Sequence, residues 1–159
     1  MKELLEYRQK MINRLETAAG EFRAACQAVR DPFVPVHAGG WTVHQVAEHV
    51  RDVDHYVYTA RIQRTVTEQN PEFEDFDQDA WMAGHYNPRE PLQPILREFT
   101  SSVGGLVKLL RSLPPEAWSR ESRHEVLGGG FTTQLWVERA LAHIEEHLAA
   151  VRKIADKLG

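Results

Sequence analysis

Residues 133–157 read TQLWVERALAHIEEHLAAVRKIADK, and their apolar side chains recur at steps of three and four. This spacing is the period of an α-helix, so the segment predicts a long helix with one buried face. Two histidines share that face, one helical turn apart, although a helix face that packs into a core is usually apolar. The face comprises Trp136, Ala140, His143, His147, Val151 and Ile154.

Three earlier segments show the same period and predict three more long helices, over Glu3 to Arg30, Val43 to about Glu68, and Pro91 to Leu113. Thr42 and Gln45 form a capping-box pattern at the start of the second helix. Four such helices predict an all-α fold, a four-helix bundle that occupies residues 1–159 as a single domain.

The connections between the helices differ in length. The segment from Asn70 to Pro91 predicts a long connection between helices 2 and 3, with a short helical piece near Trp81. After the third helix, Pro115 to Arg120 predicts one helical turn that carries Trp118, and the glycine-rich segment Glu121 to Thr133 predicts a loop or a small hairpin.

Composition excludes several classes of function. The chain of 159 residues has 42% hydrophobic residues, 19 basic and 23 acidic residues and a net charge of -4, with no basic stripe for nucleic acid. No apolar run approaches the roughly 18 to 20 residues of a membrane span, and the charged N-terminus lacks the apolar core of a signal peptide. We therefore expect a cytoplasmic protein. Its lone cysteine, Cys26, has apolar neighbours at helical spacing and predicts a buried structural thiol.

Three histidines on apolar faces predict a metal site. His143 and His147 are four residues apart, so about 5–6 Å separates their Cβ atoms, and both imidazoles can reach one ion. His49 lies on the apolar stripe of helix 2 and can meet the pair across the core. Three imidazoles suit zinc, nickel or iron and leave coordination positions open, which is typical of a catalytic centre. The alternative is three separate core histidines, each hydrogen-bonded locally.

The other histidines are predicted to lie on the surface, in loops or on polar helix faces: His37, His44, His55, His85 and His124. Five acidic residues near the histidines are candidates to orient a ligand ring or accept a proton: Glu48, Asp52, Asp54, Glu145 and Glu146. We expect most of the five to be solvated, and helical phase places Glu48 and Glu145 away from the histidine stripes. Asp77 and Asp79, in the long connection, are better placed to reach over the end of a bundle. The alternative is that Asp77 caps a short helix.

Four stretches in register resemble the DinB/YfiT-like superfamily. The stretch Trp41 to His49, WTVHQVAEH, resembles the family's opening motif, in which the histidine eight residues after the tryptophan is the first ligand. Phe76 to Trp81 is similar to the "yDedaWa" run, Leu113 to Trp118 to the "Ls.edW" turn, and Ala142 to Leu148 to the closing H-x-x-x-H helix.

The resemblance implies an up-down-down-up bundle, often dimeric, that binds zinc or nickel through His49, His143 and His147. It also implies an activity, because relatives include metal-dependent transferases that move a low-molecular-weight thiol onto an electrophile, thiol-using isomerases, and proteins labelled as hydrolases. One position departs from the YfiT-like pattern: Glu146 stands where a histidine doublet is usual.

Two functional hypotheses follow. In the first, the protein is a metal-dependent thiol transferase or hydrolase of small molecules, with Asp77 and Asp79 as catalytic residues and Trp81 as a binding residue at the mouth. In the second, it is a non-catalytic dimeric metal-binding bundle with a role in a stress response or in protein interaction.

Overall fold

Four long helices build the protein, as the sequence predicts. The computed structural model describes residues 1–158, with side chains through residue 154. The first helix, α1, spans Lys2–Ala28, and the fourth long helix, α6, spans Thr133–Leu158. Helix α1 packs against α6 and against α5, which spans Leu92–Ser112. The fourth member of the bundle, helix 2, packs against α5 and α6.

Helix 2 consists of three continuous pieces. The α-helix α2, Val43–Val53, runs into a π-helical segment, Asp54–Thr59, and then into α3, Ala60–Thr67. The predicted capping box is confirmed, because the Thr42 hydroxyl accepts from the Gln45 backbone N–H and the Gln45 side chain accepts from that of Thr42. The π segment was not predicted, although the step of five from buried Val57 to buried Ile62 is its trace in the sequence.

The connections contain a small sheet that the all-α prediction lacked. Strand β1, Glu72–Phe73, pairs in parallel with β2, Glu121–His124, and β2 pairs in antiparallel with β3, Gly128–Thr132. Of the two predicted alternatives for the glycine-rich segment, a loop or a small hairpin, the structure therefore contains the hairpin. The short helix α4, Gln78–His85, lies in the long connection, and a 3₁₀ turn at Pro115–Ser119 carries buried Trp118, both as predicted.

Aromatic side chains organise the core. Phe22 of α1 meets Phe99 of α5 edge to face, with ring centroids 5.5 Å apart. Trp136 of α6 is buried and donates its indole N–H to the Ser122 hydroxyl at 2.8 Å, which ties the sheet to the bundle. Cys26 is fully buried, and burial raises the pKa of its thiol to about 12, so the prediction of a structural thiol is confirmed.

None of the helices in the described part of the chain is both long enough and apolar enough to cross a membrane.

Candidate metal centre

The structure brings the three predicted histidines together. His49 comes from α2, and His143 and His147 come from successive turns of α6. One ring nitrogen of each lies within 4.8 Å of the others, and the Nε2 atoms of His49 and His143 are 3.0 Å apart. His49 is buried, whereas His143 and His147 are partly exposed. The cluster therefore has a closed side in the bundle and a side open to solvent.

The spacing of these nitrogens fits a shared ion. Two nitrogens that each lie about 2.0–2.1 Å from one metal ion are separated by roughly 2.9–3.4 Å at octahedral to tetrahedral angles. The 3.0 Å separation of His49 Nε2 and His143 Nε2 lies in this range. In addition, His143 Nδ1 is buried and has no hydrogen-bond partner among the described residues. Three imidazoles crowded together with incomplete hydrogen bonding are the donor set that a divalent ion would satisfy.

Burial keeps the three imidazoles neutral. It lowers the pKa of His49 to about 4, with a further contribution from His147. Burial also lowers the pKa of His143 and His147, and in His143 the two neighbouring histidines add to the effect. A neutral imidazole keeps the lone pair that binds a metal, so the cluster is ready to coordinate a cation at neutral pH.

Two aromatic rings stand beside the histidines. The centroid of Trp41 lies 4.8 Å from that of His49, and the centroid of Tyr58 lies 5.6 Å from that of His143. Sequence reasoning missed Tyr58 because position 58 of a regular helix lies about 180° around the axis from position 49. The π segment adds a residue to one turn, which rotates Tyr58 back toward the cluster by about 100°.

The residues predicted at the mouth of the metal site contact other parts of the structure. Asp77 caps α4, since its carboxylate accepts from the backbone N–H groups of Asp79 and Ala80. Asp79 is exposed, and neither carboxylate belongs to the histidine cluster. Trp81 donates its indole N–H to Asp52 at 3.0 Å and stacks on His85 at a centroid distance of 3.6 Å. The capping alternative for Asp77 is thus observed, while the catalytic assignments stay predictions.

A cleft of about 920 Å³ lies between helix 2 and α5. Asp52, the partner of Trp81, lines this cleft together with Tyr56, and none of the three clustered histidines does. Trp81 of α4 therefore lies near this cleft, and its hydrogen bond and its ring stacking are with residues outside the histidine cluster.

Two histidines predicted on the surface are buried. His44 is 2% exposed because the long connection crosses helix 2 above it, and its ring bonds the Tyr86 hydroxyl at 2.8 Å and the Glu90 carbonyl at 2.7 Å. His124 is 3% exposed, and its Nδ1 accepts two backbone N–H groups of the hairpin turn. His37, His55 and His85 are exposed, as predicted.

Two acidic residues expected in solvent are also buried. Glu48 is 2% exposed, under the long connection, where it accepts from the Asn87 backbone N–H at 3.1 Å. Asp54 is 1% exposed, at the start of the π segment, and neither carboxylate oxygen has a hydrogen-bond partner among the described residues. Burial raises the pKa of each carboxyl to about 7. Helical phase alone could not predict the burial of these two residues, because the elements that cover them are distant in the sequence.

Several known proteins are similar to this chain in sequence. A protein of Bacillus subtilis (strain 168) named "Putative metal-dependent hydrolase YfiT" is 24% identical over 156 residues, which cover 97% of this chain and 87% of that protein. A protein of Oceanobacillus iheyensis with the same functional name is 32% identical over 91 residues, 57% of this chain and 52% of that protein. A third, from Bacillus mycoides (strain KBAB4), is 28% identical over 153 residues, 94% of this chain and 86% of its own length.

A solved structure shares the fold. YfiT from Bacillus subtilis, described as "a probable metal-dependent hydrolase with an unusual four-helix bundle topology", superimposes with a TM-score of 0.88 at 24% identity, over 97% of this chain and 89% of that one. The sequence profile of the DinB superfamily matches residues 14–151, most of the chain. The four-helix bundle and the extent of this match lead to one conclusion: the chain belongs to the DinB superfamily.

Proposed function

We propose that this protein is a metal-dependent enzyme that acts on a small molecule, with His49, His143 and His147 holding one divalent ion. Two observations support this proposal: the three neutral imidazoles converge within 4.8 Å, and three relatives carry the name of metal-dependent hydrolases. Zinc and nickel are the expected ions, and ferrous iron also accepts this donor set.

The observation that carries the proposal is the number of ligands. Among the described residues, the cluster comprises three histidines and no cysteine or carboxylate. Structural zinc sites are normally closed by four protein ligands, whereas catalytic sites have three and leave a position for water or substrate. The partial exposure of His143 and His147 gives a small molecule access to that position.

When bound, the ion would supply a Lewis acid that activates a thiol or a water for attack on an electrophile. The chain's own residues would shape the reaction around it. Trp41 and Tyr58 flank the histidines. Burial raises the pKa of Tyr58, so its hydroxyl stays protonated at neutral pH and can donate a hydrogen bond to a polarised oxygen.

Transfer of a low-molecular-weight thiol onto an electrophile is the reaction we place first, on the resemblance of the four motifs, and hydrolysis second, on the names of the relatives. Asp77 and Asp79 are proposed to assist catalysis from the long connection, with Trp81 as a substrate contact. We further propose a cytoplasmic homodimer, following the composition and the resemblance.

Activity assays on metal-loaded protein would test the proposal. Zinc-loaded and nickel-loaded protein should consume monochlorobimane in a thiol-dependent manner, and His143→Ala should abolish this turnover. His55→Ala, at an exposed position outside the cluster, is the matched control. Metal-dependent cleavage of esters or amides without thiol dependence would favour the hydrolase. Absence of turnover on both panels, with a melting temperature that rises strongly on metal binding, would contradict the enzyme and support a non-catalytic bundle.

A further inference from the structure

Two arginines that form no ion pair with a carboxylate of the described residues lie next to the histidine cluster. Arg139 precedes His143 by four residues on α6, which places the two side chains one above the other on the helix surface. Its guanidinium lies 5.1 Å from the centroid of Phe131, and it forms no hydrogen bond or ion pair with any residue the structure describes. Arg139 is exposed, so its N–H donors are accessible to a ligand.

Arg61 approaches the same region from helix 2. Its guanidinium lies 4.9 Å from the centroid of Trp136, whose ring stacks on Phe131 at 4.7 Å. One nitrogen, Nη2, donates to the Glu74 carbonyl at 2.8 Å. A guanidinium carries five N–H donors, so Arg61 retains most of its hydrogen-bonding capacity. The Phe131 and Trp136 pair thus carries one arginine on each member.

Tyr58 connects both arginines to the histidines. Its ring packs against His143, and Arg61 follows it by three residues on helix 2. The Tyr58 phenol lies close enough to Arg139 and Arg61 for their charges to act on its pKa, in opposition to burial. Its hydroxyl forms no hydrogen bond within the described chain. Three donors, two of them cationic, therefore lie in the neighbourhood of His143.

Two carboxylates lie near this region without pairing with either arginine. Glu146 is close enough to act on Tyr58 and His147, and Asp75 on Arg61, but neither forms an ion pair with Arg61 or Arg139 within the described residues. With a divalent cation on the histidines, the region is net positive. Arginine forks match the planar, two-oxygen geometry of a carboxylate or phosphate, and such charge-assisted hydrogen bonds are among the strongest in proteins.

From this geometry we infer that Arg139, Arg61 and Tyr58 form an oxyanion-binding site beside the metal centre, so that the substrate carries a carboxylate or phosphate group in addition to its reacting atom. This inference rests on the proposed function, because it places the oxyanion next to an ion held by His49, His143 and His147. It makes the two arginines specificity residues, since they would select the charge of the substrate.

A pair of thiols that differ only in charge would test the site. Zinc-loaded protein would be titrated by calorimetry with 3-mercaptopropionate and with its neutral amide, 3-mercaptopropionamide. We expect the carboxylate to bind about tenfold more tightly, the effect of one charge-assisted contact. Arg139→Gln and Arg61→Gln should abolish this preference without loss of zinc. Arg64→Gln, on the same helix but paired with Glu68, should preserve it. Inorganic phosphate and acetate as competitors would show which oxyanion the site prefers.

Because Arg139 is exposed, Arg139→Gln keeps the test valid even if Arg61→Gln fails to fold. Equal affinity for the two thiols in wild type, or a preference that survives in Arg139→Gln, would overturn the oxyanion site while leaving the metal centre in place. Protein that binds no zinc would overturn both this inference and the proposed function, and zinc content measured on the same samples distinguishes the two cases.

Discussion

His49 Nε2 and His143 Nε2 lie 3.0 Å apart, although 94 residues separate them in the chain. Helix 2 and α6 bring them together, because each helix buries the face that carries its histidine. The same apolar period that specifies the bundle therefore also assembles the cluster. This pairing makes the stability of the fold sensitive to the charge of the histidines.

Metal-free protein should lose stability in mild acid through these histidines. Their pKa values are lowered by burial, so the folded state binds fewer protons than the unfolded state below the ordinary histidine pKa of about 6.5. The free energy of unfolding should therefore fall as the pH drops from about 6.5 toward 4, and His49 alone should contribute up to about 2 kcal/mol of this loss between pH 6.5 and 5. Urea denaturation of metal-free protein at several pH values measures this slope.

Buried carboxyls act in the opposite direction over the same range, so the comparison needs a variant. His143→Gln keeps a polar side chain but cannot become protonated. Its unfolding free energy should depend less on pH between 6.5 and 4 than that of wild type. Equal pH dependence in both proteins would contradict a buried, neutral His143.

Asp54→Asn should stabilise the protein at alkaline pH. Burial raises the pKa of Asp54 from 3.8 to about 7, and the Ser102 hydroxyl nearby only partly opposes this. The folded state thus holds an extra proton between these values, and stability falls as the pH rises through this window and stays lower above it. Asparagine removes this loss, worth up to about 4 kcal/mol at pH 8 by the conversion of about 1.4 kcal/mol per pKa unit.

Asp52→Asn is the matched control for Asp54→Asn. Asp52 lies two residues earlier but accepts from Arg51 Nε at 2.9 Å and from the Trp81 indole at 3.0 Å. Loss of its charge should therefore destabilise the protein, by about 1–3 kcal/mol for a charged hydrogen-bond partner. Thermal unfolding of both variants at pH 8 should give shifts of opposite sign, and a destabilised Asp54→Asn would refute the account of its burial.

Gly104→Ala should stabilise α5. Gly104 lies inside this helix, where a Cβ would meet no atom within 4 Å, so alanine gains helix propensity of about 1 kcal/mol without a clash. Gly128 also has open space, but its φ of +92° disfavours any side chain, so Gly128→Ala should destabilise the hairpin by about 1 kcal/mol or more. Chemical denaturation of both variants checks the contrast, and a destabilised Gly104→Ala would show that α5 needs this glycine.

Asp77 allows its two candidate roles to be separated. Its carboxylate caps α4, so Asp77→Ala should lower stability by about 1 kcal/mol, whereas Asp77→Asn retains a capping oxygen and should not. If Asp77 also acts in catalysis, Asp77→Asn should lower kcat at unchanged stability. Full activity in Asp77→Asn would assign the residue to the cap alone, and Asp79→Asn provides the same test for its neighbour.

The sequence was sufficient for the parts of the structure that follow from helical period. The four helices, the Thr42 capping box and the convergence of the histidines all depend on contacts within one turn or on which face of a helix is apolar. The short helix α4 follows in the same way from local capping residues, whereas the turn residues of the glycine-rich segment left both a loop and a hairpin open.

The structural features that the sequence did not predict depend on contacts between distant segments. Glu48 and His44 occupy polar phases of helix 2, and the long connection, some forty residues later, covers both. Tyr58 reaches His143 because the π segment shifts the helical phase, which a fixed period of 3.6 cannot represent. The step of five between Val57 and Ile62 was the one local sign of that shift.

Metal content tests the central claim most directly. Untagged wild-type protein would be analysed by inductively coupled plasma mass spectrometry beside His49→Ala, His143→Ala and the exposed control His55→Ala. A shared site predicts close to one equivalent of zinc or nickel in wild type and in His55→Ala, and loss of that metal in both cluster variants. Wild-type protein that remains free of metal after reconstitution, or cluster variants that retain a full equivalent, would contradict it.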